Sequence, residues 1–172
     1  MLGFALHDPK IVPPGEGEVV PVPFHPVLKL IGGDENRDSV TIYEFRVPPQ
    51  SAGAPPHTHT MEDEYFYVVS GTASFLNGED VIEAPAGSFA ALTRGNLHAF
   101  WNSSDEEAVM VMMTVGGKFE EFFDEVAMRV QAEKPGSPEE MGALVGQAAA
   151  ERGITIDMSK VPDTAKPLYG ME

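Results

Sequence analysis

Residues 55–71, PPHTHTMEDEYFYVVSG, and residues 86–102, AGSFAALTRGNLHAFWN, decide how this chain is read. His57 and His59 stand at i and i+2. On a β-strand they point to one face, because side chains alternate with period two. Glu64 opens the apolar run EYFYVV, and His98 opens HAFW. Three strands of one barrel can therefore aim four donor groups at one centre.

Outward from these stretches, short apolar runs recur between Pro and Gly: VLKLIG, SVTIYEFRV, ASFL, DVIEAP, SFAAL and AVMVMMTV. Many are β-branched or aromatic and several alternate, which indicates an all-β sandwich or barrel. Asn77-Gly78 marks a hairpin between ASFL and DVIEAP. Residues 48–56, PPQSAGAPP, form a stiff loop before the first histidines. The pattern changes after Gly116-Gly117. Phe119, Phe122, Phe123, Val126 and Val130 share one helical face. A second helix is expected over 138–152. Ser137 is its N-cap, Pro138 its first residue and Glu140 the capping-box partner. Met141, Leu144, Val145 and Ala148 form its apolar stripe, and Gly153 stops it. The two helices pack on the strands or cover an opening. Residues 154–172 read ambiguously.

A chain of 172 residues suits one domain with a sizeable core. The expected organisation is an N-terminal arm with edge strands (1–34), a barrel carrying the site (35–116), and C-terminal helices with a tail (117–172). The net charge of -16 argues against nucleic acid, whose phosphates need Lys and Arg. No apolar run approaches a membrane span. The start, MLGFALHDPKIVPP, lacks the basic region of a signal peptide. Cysteine is absent, so disulfides and thiolate-held metals are excluded, and a cytoplasmic location is compatible with that.

Imidazoles with one carboxylate suit one divalent transition metal per chain, Fe first, with Mn, Ni, Co, Cu or Zn open. Four protein donors leave positions for a small molecule, so the arrangement reads as catalytic. Strand parity turns Phe66 inward with Glu64, and Phe100 and Asn102 inward with His98. Phe75, Phe89, Met110 and Met112 are further wall candidates for a substrate pocket. Glu62 and Asp63 compete with Glu64 for the ligand role, but read better as a solvated acidic turn. His7 and His25, in Pro-rich segments, read as surface residues.

The two stretches resemble the paired motifs of the cupin family. The first, Gly-x5-His-x-His-x3–4-Glu-x6-Gly, appears as Ser51-x5-His57-x-His59-x4-Glu64-x6-Gly71. The second, Gly-x5-Pro-x-Gly-x2-His-x3-Asn, appears as Gly87-x5-Thr93-x-Gly95-x2-His98-x3-Asn102. Ser51 and Thr93 depart from the pattern, both at turn positions. The resemblance implies a cupin-type jelly-roll β-barrel with a C-terminal two-helix extension, often a homodimer. His57, His59, Glu64 and His98 then hold the metal. The wording of both stretches is most similar to single-domain relatives of quercetin 2,3-dioxygenase. That likeness implies O₂-dependent cleavage of an aromatic or enol-bearing ring, with Glu64 also taking a proton from the substrate hydroxyl. The competing readings are a non-redox isomerase or lyase on a sugar or oxo-acid, and a binding protein without catalysis. Arg94, Arg46 and Lys29 are the cations an anionic substrate needs.

Overall fold

Thr41, Tyr43, Phe45 and Val47 are buried while the residues between them are half-exposed, the period-two signature of a strand with one face in a core. The computed structural model describes residues 9–36 and 38–172; His7 lies outside them. Strands form where the β-branched and aromatic runs stand. They are β1 (Glu18–Val19), β2 (Val27–Ile31), β3 (Thr41–Val47), β4 (Ser51–Ala52), β5 (His57–His59) and β6 (Asp63–Ser70). They continue as β7 (Thr72–Asn77), β8 (Asp80–Pro85), β9 (Phe89–Leu92), β10 (His98–Asn102) and β11 (Ala108–Val115). Helices α1 (Glu120–Glu133) and α2 (Pro138–Glu151) follow, then β12 (Ile154–Ile156).

The strands make two antiparallel sheets, in the orders β1-β2-β3-β11-β6-β9 and β12-β5-β10-β7-β8, with β4 also paired to β10. The expected closed jelly-roll barrel is therefore corrected. One sheet ends at β1 and β9, the other at β12 and β8, and no ladder joins them among the described residues. Neither sheet curls into a barrel. Side chains, not hydrogen bonds, join the layers. Phe66 of the first sheet lies 5.5 Å from Phe75 and 5.4 Å from Phe100 of the second, between ring centroids. Phe45 stacks on Phe100 at 5.8 Å.

Strand β10 is buried on both faces. His98, Phe100 and Asn102 point between the sheets. Ala99 and Trp101 face away and are covered by Val161 and Ala165 of the C-terminal segment. Tyr169 secures that segment by donating its hydroxyl to the Ala54 and Phe100 carbonyls at 3.0 and 3.2 Å. The helices form on the expected faces. Phe122, Phe123 and Val126 of α1 and Leu144 and Ala148 of α2 are buried. Ser137 caps α2 by accepting from the Glu140 amide at 3.1 Å. The Glu140 carboxylate reaches past the cap to the Gly136 amide at 2.6 Å. After α2, Gly153 adopts φ +72°, and the chain returns as β12 beside β5. The ambiguous tail thus becomes the strand flanking the two histidines.

Phe66 is wholly buried at the meeting of four aromatic rings across the layers. Phe66→Ala is expected to cost about 3–5 kcal/mol of stability, through lost transfer energy and an incompletely filled void. Equilibrium denaturation measures it.

Candidate metal centre

His57 and His59 come from β5 and His98 from β10, in one sheet; Glu64 comes from β6, in the other. Antiparallel pairing sets His98 directly opposite His57. All four side chains are buried, and one donor atom from each lies within 4.8 Å of the others. Glu64 Oε1 stands 3.3 Å from His59 Nε2, and Oε2 stands 3.4 Å from His98 Nε2. The imidazole ring centroids are separated by 4.3 to 5.5 Å.

The outer nitrogens explain how the rings are aimed. His57 Nδ1 lies 2.7 Å from the Pro55 carbonyl and His98 Nδ1 lies 2.9 Å from that of Asn96. His59 Nδ1 lies 3.2 Å from Glu62 Oε2. Carbonyl and carboxylate oxygens only accept, so each Nδ1 carries the proton and donates it. Each Nε2 is then the free donor atom for a cation. The Nε2 atoms of His59 and His98 are buried and make no hydrogen bond, even to the Glu64 oxygens beside them. Buried polar atoms rarely stay unpaired, and a divalent metal held by the cluster would satisfy these two. The residues present fit the ion.

Charge in this pocket follows from burial and proximity. Burial, helped by neighbouring His98, presses His57 down to about 3. Burial also pulls His59 down, but the bond to Glu62 and the nearby Glu64 charge hold it above the ordinary histidine value. Burial alone raises a carboxyl; around Glu64 the imidazoles outweigh it, His98 first, and hold it at about 2. A carboxylate grouped with imidazoles, of which His57 resists protonation, is a donor set that suits a cation.

Glu62 is a correction to the reading of residues 62–63 as a solvated acidic turn: it is 2% exposed and orients His59. Its other oxygen accepts from the Lys118 amide at 3.4 Å. Gly117, at φ +56°, leaves the room it needs; a Cβ there would collide with Glu62 Oε1. The available signal was that Glu62 lies three residues from His59 and shares parity with Glu64. Asp63 instead binds Arg94 twice, at 3.0 and 2.8 Å. Where the family pattern has proline, Thr93 closes the turn, its hydroxyl accepting from Asn96 Nδ2 at 2.8 Å.

A cavity of about 100 Å³ adjoins the cluster. Phe45, Phe100 and Met112 line it from the sheets, Phe119, Phe122 and Phe123 from the start of the helical region. Of the other wall candidates, Phe66, Phe75 and Met110 lie in the core and Phe89 is 60% exposed. Asn102 is buried and spends its amide on the Val47 and Glu106 carbonyls, 3.0 and 2.7 Å away. His25 is a second correction: it is half-buried and lines the cavity. Its local sequence, Pro-Phe-His-Pro, carries no sign of that placement. The three candidate cations lie elsewhere, in ion pairs: Arg94 with Asp63, Arg46 with Glu44 and Glu107, and Lys29 with Glu18.

Residues 43–114 match the family model of the cupin domain. No curated protein matches the chain. Among solved structures, a cupin protein from Bacteroides fragilis is 17% identical over 45% of this chain and 65% of its own, with a TM-score of 0.43. A sugar phosphate isomerase from Silicibacter pomeroyi is 23% identical over 53% and 59%, with a TM-score of 0.48. A predicted oxalate decarboxylase from Thermotoga maritima is 16% identical over 53% and 79%, with a TM-score of 0.49. The chain thus spans less than two thirds of the first two proteins. The match is to the cupin domain at large and lends no support to the narrower likeness to quercetin 2,3-dioxygenase. No helix among the described residues is long and apolar enough to cross a membrane.

Two outcomes follow from this geometry. Glu62→Ala frees the His59 ring, and Gly117→Ala displaces Glu62. Each is expected to weaken divalent-metal affinity about 10–100-fold, read by chelator competition. The second outcome concerns the metal-free protein. Folded His25 and His57 stay neutral down to about 4 and 3, whereas unfolded histidine protonates near 6.5. The unfolded chain binds more protons between those values, so stability falls as pH drops below 6.5. Glu64, at about 2 against 4.5 unfolded, adds a loss in the same direction lower down. Melting temperature should therefore fall from pH 6.5 to 4, and fall less in His25→Phe.

Proposed function

We propose, from the cupin domain that residues 43–114 carry, that this chain is a metal-dependent dioxygenase. Its substrate is a small, largely apolar molecule that presents an enol or phenol oxygen. The observation that carries this reading is the cavity wall: aromatic and aliphatic side chains surround the cluster, and among the described residues no Lys or Arg lines it. A phosphorylated sugar or an oxo-acid needs a cation for its charge, because burying an unpaired anion is costly. Arg94, Arg46 and Lys29 are committed to carboxylates elsewhere. A neutral ring loses little on entering such a wall.

His57, His59, His98 and Glu64 hold the ion. A divalent metal bound there supplies Lewis acidity toward an oxygen donor and, when redox-active, a route for electrons to O₂. Glu64 faces the cavity as a carboxylate. It takes the proton of the substrate hydroxyl as its contact with His98 loosens, a role that demands hydrogen-bond reach in the bound complex. Phe45, Phe100 and Phe119 exclude water and press on the faces of a planar substrate.

The test is O₂ uptake by protein reconstituted separately with Fe, Ni, Mn, Co and Cu, against a panel of neutral enols and phenols. We expect O₂ consumption matched to substrate loss, and a fall of at least about 100-fold in His98→Ala. Equal turnover without O₂ replaces the reading with Lewis-acid chemistry. Tight binding with no turnover under any metal replaces it with a binding role.

A further inference from the structure

We propose that His25 contacts the substrate: its imidazole takes a second hydroxyl, on a ring whose first oxygen lies at the metal centre. The inference rests on the reading of the site above and narrows its substrate class to small aromatic or enolic molecules with two separated oxygen functions.

Outside the ligand cluster, His25 is the one cavity-lining residue with a polar side chain among the described residues. Its Nδ1 is buried and has no hydrogen-bond partner among them. Two aromatic contacts and the backbone bonds of the arm position the half-buried ring. It meets Phe45 edge-on at 5.1 Å and Phe100 at 5.8 Å, between centroids. The following carbonyl, of Pro26, accepts from the Arg46 amide at 3.0 Å, which ties the arm to β3. Val20 and Val27 are bonded across the arm at 3.0 Å. A fixed ring with an idle nitrogen in an apolar cavity is a recognition group, not a packing residue.

Burial lowers this imidazole to about 4, so it is neutral at physiological pH. A neutral imidazole nitrogen either accepts or donates, and a hydroxyl answers both. His25 also lies outside the 43–114 segment shared with the cupin domain model. The four residues of the metal cluster lie inside that segment, whereas this contact comes from the N-terminal arm. A site that hydrogen-bonds one substrate hydroxyl rejects analogues lacking it, since its own polar atom is otherwise left unpaired.

Isothermal titration of zinc-loaded protein tests the proposal without turnover. The probes are tropolone, an enolic ring that anchors on metals, and its ring-hydroxylated isomers. In the wild type, at least one hydroxylated isomer should bind about tenfold more tightly than tropolone. His25→Phe should erase that gain, with tropolone affinity and zinc content unchanged. His25→Leu, run beside it, decides the same question if the phenyl ring crowds the cavity. His25→Asn, which returns a polar atom near the Nδ1 position, should restore part of the gain. If no isomer gains in the wild type, or the gain survives in the apolar variants, the role of His25 is overturned and the metal-site reading stands. If tropolone itself does not bind the zinc-loaded wild type, the metal-site reading falls and this proposal falls with it.

Discussion

One carboxylate from one sheet is buried against three imidazoles from the other, and the rest of the structure is arranged around that contact. Glu64 cannot keep its charge in an apolar interior without partners, because an isolated buried carboxylate neutralises instead. His59 and His98 bring their Nε2 atoms to 3.3 and 3.4 Å from it, and a cation held by the cluster would supply the missing partner. The contact therefore sets how β6 faces β5 and β10 across the layer. Phe66, two residues on from Glu64, then meets Phe75 and Phe100. Electrostatic pairing and aromatic packing select the same register. A one-residue slip of β6 would lose both, since it turns every side chain to the opposite face.

The cluster is held from outside as well as inside. Two of the three imidazoles are locked by backbone carbonyls only two residues away, so their orientation is local and robust. His59 depends on Glu62, and Glu62 depends on Gly117 having no Cβ. One ligand is thus coupled to the start of the helical region through space. The same region brings Phe119, Phe122 and Phe123 over the cavity. Chain return through β12 places Ile154 and Ile156 opposite His59 and His57. The segment that follows the family-matched domain therefore completes the site.

The apolar wall and the polar centre do different jobs. Apolar side chains keep water out, which strengthens every charge interaction within. Few polar groups then suffice to orient a small molecule, because each is decisive when solvent cannot substitute for it. Four are grouped where they could hold a cation, and His25 stands apart from them, in the bend before β2.

The sequence by itself determined the local facts. Period-two alternation marked which residues of β6 and β10 face inward, and the His-x-His spacing put two imidazoles on one face. Ser137-Pro138 and Gly153 marked the ends of α2, because caps and stops act within one turn. These features rest on contacts among near neighbours, which composition and spacing record directly. Tertiary structure alone decided what depends on distant partners. Alternation does not say which strands pair, so it could not distinguish two open sheets from a closed barrel. The burial of Glu62 depends on a glycine 55 residues away, and the placement of His25 depends on Phe45 and Phe100. A polar residue reads as solvated in sequence until the fold brings a remote surface over it, and only the packed chain contains that surface.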